Sequence, residues 1–377
     1  MTEPDEHSSA ATAPAPTPAA PARWKQAIAA VVTIGVLVIV FVGIFPKFAD
    51  YSDAWASIQQ MSTISLLLFG VATVLNIVVY VFPYQAALPG LRYSRAFIVR
   101  QTSFMISNAV PAGGAFGVGV QYAMLAGYGV GPAVATSAIG VTSVWNLMVT
   151  LALPAFGLVA LVVAGEATAA AVGGAVASVV VLVVMVVCLA AILRSEAWAR
   201  RLGGWGDAVL RRVRRHGPSD SVTAGTMRFR EQTVDVVGER WPVLTATNVA
   251  QQLAQFSVLA VAVYGLGGTS TGVNLLEVFA AFALARLAGF IPITPGGLGT
   301  VDAALVGLLS AFGMSREEAL AANLLWRAAT FLPQVVIGIV TFVIWRVQQS
   351  RRQTPASPVP GPNGSIGDAT ATSSSSR

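Results

Sequence analysis

Residues Ile291 to Leu305 read IPITPGGLGTVDAAL, a Pro- and Gly-rich interruption inside otherwise apolar sequence. Pro292 and Pro295 lack a backbone N–H, and Gly296, Gly297 and Gly299 permit conformations that other residues avoid, so a plain helix is not expected here. Within a bilayer, unpaired backbone groups cost several kcal/mol. A broken segment at that depth survives only where protein covers it or where it lines a cavity. Arg286 before the break, Asp302 just after it and Arg327 further on place ionisable groups around this loop. Charges in such sequence mark a functional site by default.

Working outward, the chain has 55% hydrophobic and 11% charged residues, against roughly 25% charged in soluble domains. It reads as an integral membrane protein. Residues 1–22 are rich in Ala, Pro, Ser and Thr and read as a disordered tail, as do residues 347–377. Between them, residues 23–346 form the membrane domain. Ala27 to Phe45 is an apolar run of spanning length without a cleavage pattern and is expected to be a retained anchor. Further spans are expected over Ile64 to Phe82, Pro132 to Ala164, Ala170 to Leu193, Pro242 to Leu266 and Ala319 to Trp345.

Two less regular segments, about Tyr93 to Val130 and Leu275 to Met314, each carry a Gly-rich break near the middle. They read as helical hairpins, re-entrant or crossing twice. The basic residues then fall consistently on one side: Arg23 and Lys25, Arg92 and Arg95, the loop 194–240, and Arg346 with Arg351 and Arg352. Both termini are therefore expected in the cytoplasm of a multi-pass cell-membrane protein. The basic balance follows from topology, and no nucleic-acid partner is expected.

In this topology the hairpins open from opposite sides. Pro111, Gly113, Tyr128, Gly129 and Val130 recur at constant spacing as Pro295, Gly297, Phe312, Gly313 and Met314, and Trp145-Asn146 echoes Trp326-Arg327. The expected fold class is an all-α polytopic membrane protein with an inverted repeat, about 64–164 and 242–346, and two broken helical hairpins. Paired breaks of this kind point to a binding site near the midplane. Chance similarity between Gly-rich apolar segments is the alternative.

The second hairpin and the helix after it resemble the membrane region of the lysylphosphatidylglycerol synthase family of flippase-like proteins. The residues that carry the resemblance are Pro292, Thr294, Pro295, Gly296, Gly297, Leu298, Gly299, Asp302, Gly313, Trp326 and Arg327. Asp302 stands where the family usually has Glu, and Trp326 where Tyr is common. The resemblance implies movement of a phospholipid, anionic or head-group modified, between leaflets. The synthases' soluble aminoacyl-transferase domain has no counterpart in this sequence. Transport or an accessory role beside a separate lipid-modifying enzyme is then expected, rather than aminoacyl transfer.

Each candidate residue carries two readings. Arg327 lies among apolar neighbours and would hold a lipid phosphate or pair with Asp302 or Glu277. Arg286 has the same alternatives, or would snorkel to the interface. Asp302 would cap a helix begun at Thr300 or act with Arg327 as a switch. Pro295, Gly296, Gly297 and Gly299 would offer backbone amides to an anion or simply pack closely. Trp326 joins this second set through the motif it shares with Arg327. In the first hairpin, Gly113 marks the break, and Asn108, Gln121 and Asn146 would give a head group hydrogen bonds or join helices.

The loop 194–240 places Trp198, Leu202, Trp205, Val209 and Val213 at near-helical spacing beside an arginine cluster, as in an interfacial helix held by anionic lipid. Cys188, His7 and His216 stand apart, so no cofactor, metal site or catalytic triad is expected. A lipid translocator is the main functional reading. The alternatives are a membrane enzyme transferring a lipid head group or an accessory factor of envelope-lipid synthesis, and a small-solute transporter.

Overall fold

The computed structural model describes residues 56, 58–109, 113–165, 168–213, 221–267, 272–290, 297 and 299–353. Among these residues every regular element is a helix. In chain order they are α1 (Thr63–Val79), α2 (Phe82–Ala87), α3 (Tyr93–Ala109), α4 (Gly113–Gly127), α5 (Pro132–Ala164) and α6 (Ala169–Arg194). Then come α7 (Glu196–Val213), α8 (Ser221–Gly265), α9 (Leu275–Ala285), a 3-10 turn (Arg286–Phe290), α10 (Thr300–Ala311) and α11 (Arg316–Gln353). The anchor expected at Ala27 to Phe45, Pro111 and residues 291–296 lie outside the described residues.

Among the described residues, four stretches are long and apolar enough to cross a membrane: Thr63–Ala87, Pro132–Ala164, Val172–Arg194 and Arg316–Gln349. Their outer faces expose rows of large apolar side chains, among them Leu67 and Val71 on α1, Val183 and Val187 on α6, and Val336 and Val340 on α11. Apolar surface on this scale calls for lipid around it. The expected span at Pro242 to Leu266 belongs to α8 but is not among the four. Thr245, Thr247, Asn248, Gln251, Gln252 and Gln255 lower its apolar character, and several of these side chains reach the centre of the molecule.

The two hairpins pack reciprocally. The first arm of the first, α3, lies along α11, and the first arm of the second, α9, lies along α5. α1 and α8, the helices that precede each hairpin, pack on one another. Glycines allow both crossings. A Cβ on Gly157 would stand 2.9 Å from the Ala283 methyl of α9, and one on Gly338 would stand 2.6 Å from the Gln101 carbonyl of α3. Gly157 and Gly338 follow Trp145 and Trp326 at the same distance along their helices. Gly157→Leu and Gly338→Leu are each expected to lower stability by about 1–3 kcal/mol through overpacking, read as a fall in melting temperature in detergent.

The hairpins also close alike. Gly129 and Gly313 have φ of 83° and 107°, a region that suits glycine. In the first, the Val130 amide donates to Leu125 O at 2.9 Å, and in the second the Met314 amide donates to Leu309 O at 3.1 Å. These are the same C-terminal cap at corresponding positions. At the first break the arms touch closely, since a Cβ on Gly113 would meet the Ile106 and Ser107 carbonyls at 2.5 Å.

The basic segment 194–240 is a helical pair rather than a loop. α8 has 45 residues, about 67 Å at 1.5 Å per residue, so its first half extends beyond an apolar span of about 30 Å. Ala199, Gly203 and Asp207 of α7 face it and are buried. A Cβ on Gly203 would lie 2.6 Å from Thr223 Cα, which explains a glycine inside this helix. On the opposite face, Trp198 and Trp205 are exposed with the Arg201 guanidinium over both rings.

Asp207 ties the pair together by accepting the Val222 and Thr223 amides at 2.8 and 3.0 Å and the Thr223 hydroxyl at 2.7 Å. The hydroxyl bond is the main cause that holds this carboxyl below its ordinary range; burial opposes it, and the amides and Arg211 assist. Because the folded value is depressed, the stability it contributes is fully present above the unfolded value of about 3.9. It is lost as pH falls through the folded value. Protection of the Val222 and Thr223 amides, corrected for intrinsic exchange, should therefore fall in acid, and Asp207→Asn should flatten that dependence.

Candidate functional site

A carboxylate of the second hairpin and an arginine of α11 neutralise one another. Asp302 is fully buried in the first turn of α10 and accepts the Gly299 amide at 2.7 Å. Gly299, with φ of 89°, is the N-cap, and Thr300, expected as the cap, is the first helical residue. The other carboxylate oxygen accepts Arg327 Nε at 2.5 Å, and Arg327 Nη2 reaches the Gly297 carbonyl at 3.4 Å. Arg327 thus holds the C-terminal side of the break to α11. The Gly299 amide, expected to be free for an anion, is already engaged. Pro295 and Gly296 lie outside the described residues.

Arg286 is differently placed. It opens the 3-10 turn, and its Nη2 donates to the Gln252 side-chain oxygen at 3.0 Å and to that of Gln255. Its guanidinium lies 4.8 Å from the Phe282 ring centre and 5.9 Å from that of Trp326. Trp326 also meets the Arg327 guanidinium at 5.0 Å, and its indole donates to Gln255 O at 3.1 Å. A buried indole fixed to α8 thus contacts both cations, the aromatic face offsetting part of their charge.

Around Arg286 lies a polar cavity of about 290 Å³. α5 supplies Thr142, Ser143, Asn146 and Thr150, and α8 supplies Gln251, Gln252 and Gln255. Helical spacing accounts for these sets, since positions three and four apart share a face. Tyr80 and Arg100 complete the wall. Arg100 comes from α3, so each hairpin contributes one arginine. Its guanidinium stacks 4.4 Å from the Tyr80 ring centre and 5.6 Å from that of Tyr84.

Among the described residues neither Arg100 nor Arg286 has a carboxylate partner, and the Nε of each is buried without a hydrogen bond. Half-buried guanidinium groups with a buried Nε and no carboxylate beside them are costly. Their planar donors have the geometry that suits phosphate oxygens. The sequence reading counted Arg92 and Arg95 among the basic boundary residues and left Arg100 unassigned. Its neighbours Phe97, Ile98 and Val99 were the available signal that it lies deeper.

The remaining expected residues divide. Asn146 lines this cavity. Gln121 donates to the Ser103 hydroxyl at 2.8 Å and joins the hairpin arms, while Asn108 donates to Phe104 O of its own helix at 2.8 Å. Gly113 serves the close contact of the first break. No cluster of three or more His, Cys, Asp or Glu suited to a metal occurs among the described residues.

Residues 27–338 match the lysylphosphatidylglycerol synthase TM region. The chain belongs to that family. A "UPF0104 membrane protein" of Methanothermobacter thermautotrophicus is 36% identical over 69 residues, covering 18% of this chain and 20% of that protein. The chain thus spans about a fifth of the length of this relative. Family membership and the four apolar spans together make it a multi-pass membrane protein.

Proposed function

We propose that this family member moves a phospholipid of net negative head-group charge between leaflets, holding its phosphate between Arg286 and Arg100. The observation that carries the reading is a pair of guanidinium groups without a carboxylate partner among the described residues, one from each hairpin, in a single polar cavity among apolar helices. The described lining has no Asp or Glu, so a cationic head-group substituent finds no counter-charge. It also has no His or Cys, and nothing there favours a head-group transferase.

The two hairpins are read as inverted repeats, a reading supported by their reciprocal packing on α5 and α11 and their matching caps. Both termini are read as cytoplasmic. α4 and α10 have 15 and 12 residues, about 22 and 18 Å at 1.5 Å per residue. These lengths fall short of a hydrocarbon core of about 30 Å, which favours re-entrant hairpins. Rocking of one repeat against the other would expose the cavity to each side in turn.

The test is reconstitution into liposomes with head-group-labelled phospholipids. Native protein should transfer anionic lipid, and Arg100→Gln should slow transfer at least tenfold, the loss of one charged hydrogen bond. Absence of transfer for every lipid, or an Arg100→Gln rate equal to native, would overturn the reading.

A further inference from the structure

Gln252 of the polar cavity also lines a second, half-open cavity of about 670 Å³ along α5, α6, α8 and α9. The two are distinct in character: the second is bounded by side chains such as Phe156, Val159, Leu182, Val186 and Phe279. On α5 its lining begins at Trp145, level with the polar residues, and runs to Val163, about 27 Å along the helix. That exceeds half of a hydrocarbon core of about 30 Å. Trp145 donates to Thr245 at 3.0 Å and Gln252 to Thr150 at 3.3 Å. These bonds join α5 to α8 where the polar and apolar spaces meet.

We infer that this groove seats one acyl chain of the lipid whose phosphate occupies the Arg286–Arg100 cavity. The inference rests on the head-group reading above and adds a chain site to it. A polar cavity whose arginines have no carboxylate partner among the described residues, sharing Gln252 as a wall with an apolar trough, matches an amphiphile with an anionic end. Bulk lipid alone would explain apolar exposure, as on α1, but not an apolar trough sharing a wall with the arginine cavity. The small side chain of Ala152 leaves part of the trough empty.

The experiment uses full-length protein in liposomes containing a trace of phosphatidylglycerol with a photoactivatable acyl chain, with adducts mapped by mass spectrometry. Adducts should concentrate on the α5, α6 and α9 walls relative to Leu67 and Val71 on the outer face of α1. Ala152→Trp, which fills the trough from α5, and Val186→Phe, which fills it from α6, should each reduce trough labelling about tenfold. Arg286→Gln should reduce it as well, and an equally labelled diacylglycerol should not show the enrichment. Labelling equal to that of the α1 face, or trough labelling that both fillings leave intact, overturns the chain seat. Head-group-dependent transfer in liposomes is measured separately, so the chain seat and the head-group site fail by different results.

Discussion

Asp302→Ala is expected to destabilise the protein by about 3–5 kcal/mol, the cost of removing one partner from a buried ion pair. The carboxylate is fully buried and satisfies both the Gly299 amide and Arg327 Nε. Without it, the Arg327 side chain, 16% exposed, keeps the Gly297 carbonyl and the Trp326 ring but no carboxylate among the described residues. Asp302→Asn should cost less, because an amide oxygen still accepts from Gly299 while the charge is lost. The double replacement Asp302→Leu with Arg327→Met should recover much of the loss, since buried pairs are often replaceable by apolar groups of similar volume. Thermal melts in one detergent decide the matter. A double variant that melts below Asp302→Ala would mean that the pair contributes net attraction beyond mutual neutralisation. Transport that keeps its native rate and pH dependence in Asp302→Asn would rule out the pair as a switch.

The IPITPGGLGTVDAAL stretch stands out in the sequence because Pro and Gly interrupt the apolar pattern with a charge on either side. The matching hairpin ends were legible too: Tyr128-Gly129-Val130 and Phe312-Gly313-Met314 close with the same cap. Helix position is local information and survives in one sequence. Which arginine has a counter-ion is not local. Asp302 and Arg327 meet across two helices, whereas Arg286 turns toward Gln252 and Gln255 of α8. The sequence ranked Arg327 first for phosphate because it has the more apolar neighbours, yet those neighbours say nothing about a carboxylate brought in by folding. The amides of α8 were hidden for the opposite reason, since they looked like ordinary polar dilution of a span. Only the crossing with α5 shows that they share a face with Thr150 and Asn146. The α7–α8 pair was concealed by Gly203, which weakens a helix in isolation but permits close contact once α8 is beside it.

Arg286→Gln is expected to act in opposite directions on binding and on stability. Loss of charge-assisted bonds to a phosphate, worth about 1.5–3 kcal/mol, should weaken anionic-lipid binding about tenfold to a hundredfold, with a matching fall in transfer. The lipid-free protein should melt higher, because a half-buried cation without a carboxylate partner among the described residues has been replaced by a neutral amide able to bond Gln252 and Gln255. Arg286→Lys should fall between the two, retaining charge but losing the planar, two-point geometry. A ligand that binds only the folded state raises native stability by about 2.7 kcal/mol at a hundred times its dissociation constant. Anionic phospholipid should therefore raise the melting temperature of native protein and leave Arg286→Gln nearly unmoved, with zwitterionic lipid as the control. The Asp302–Arg327 pair provides the contrast: its loss lowers the melting temperature with or without lipid. If Arg286→Gln melts lower and retains its response to anionic lipid, Arg286 is a structural brace between the second hairpin and α8, and the phosphate site lies elsewhere.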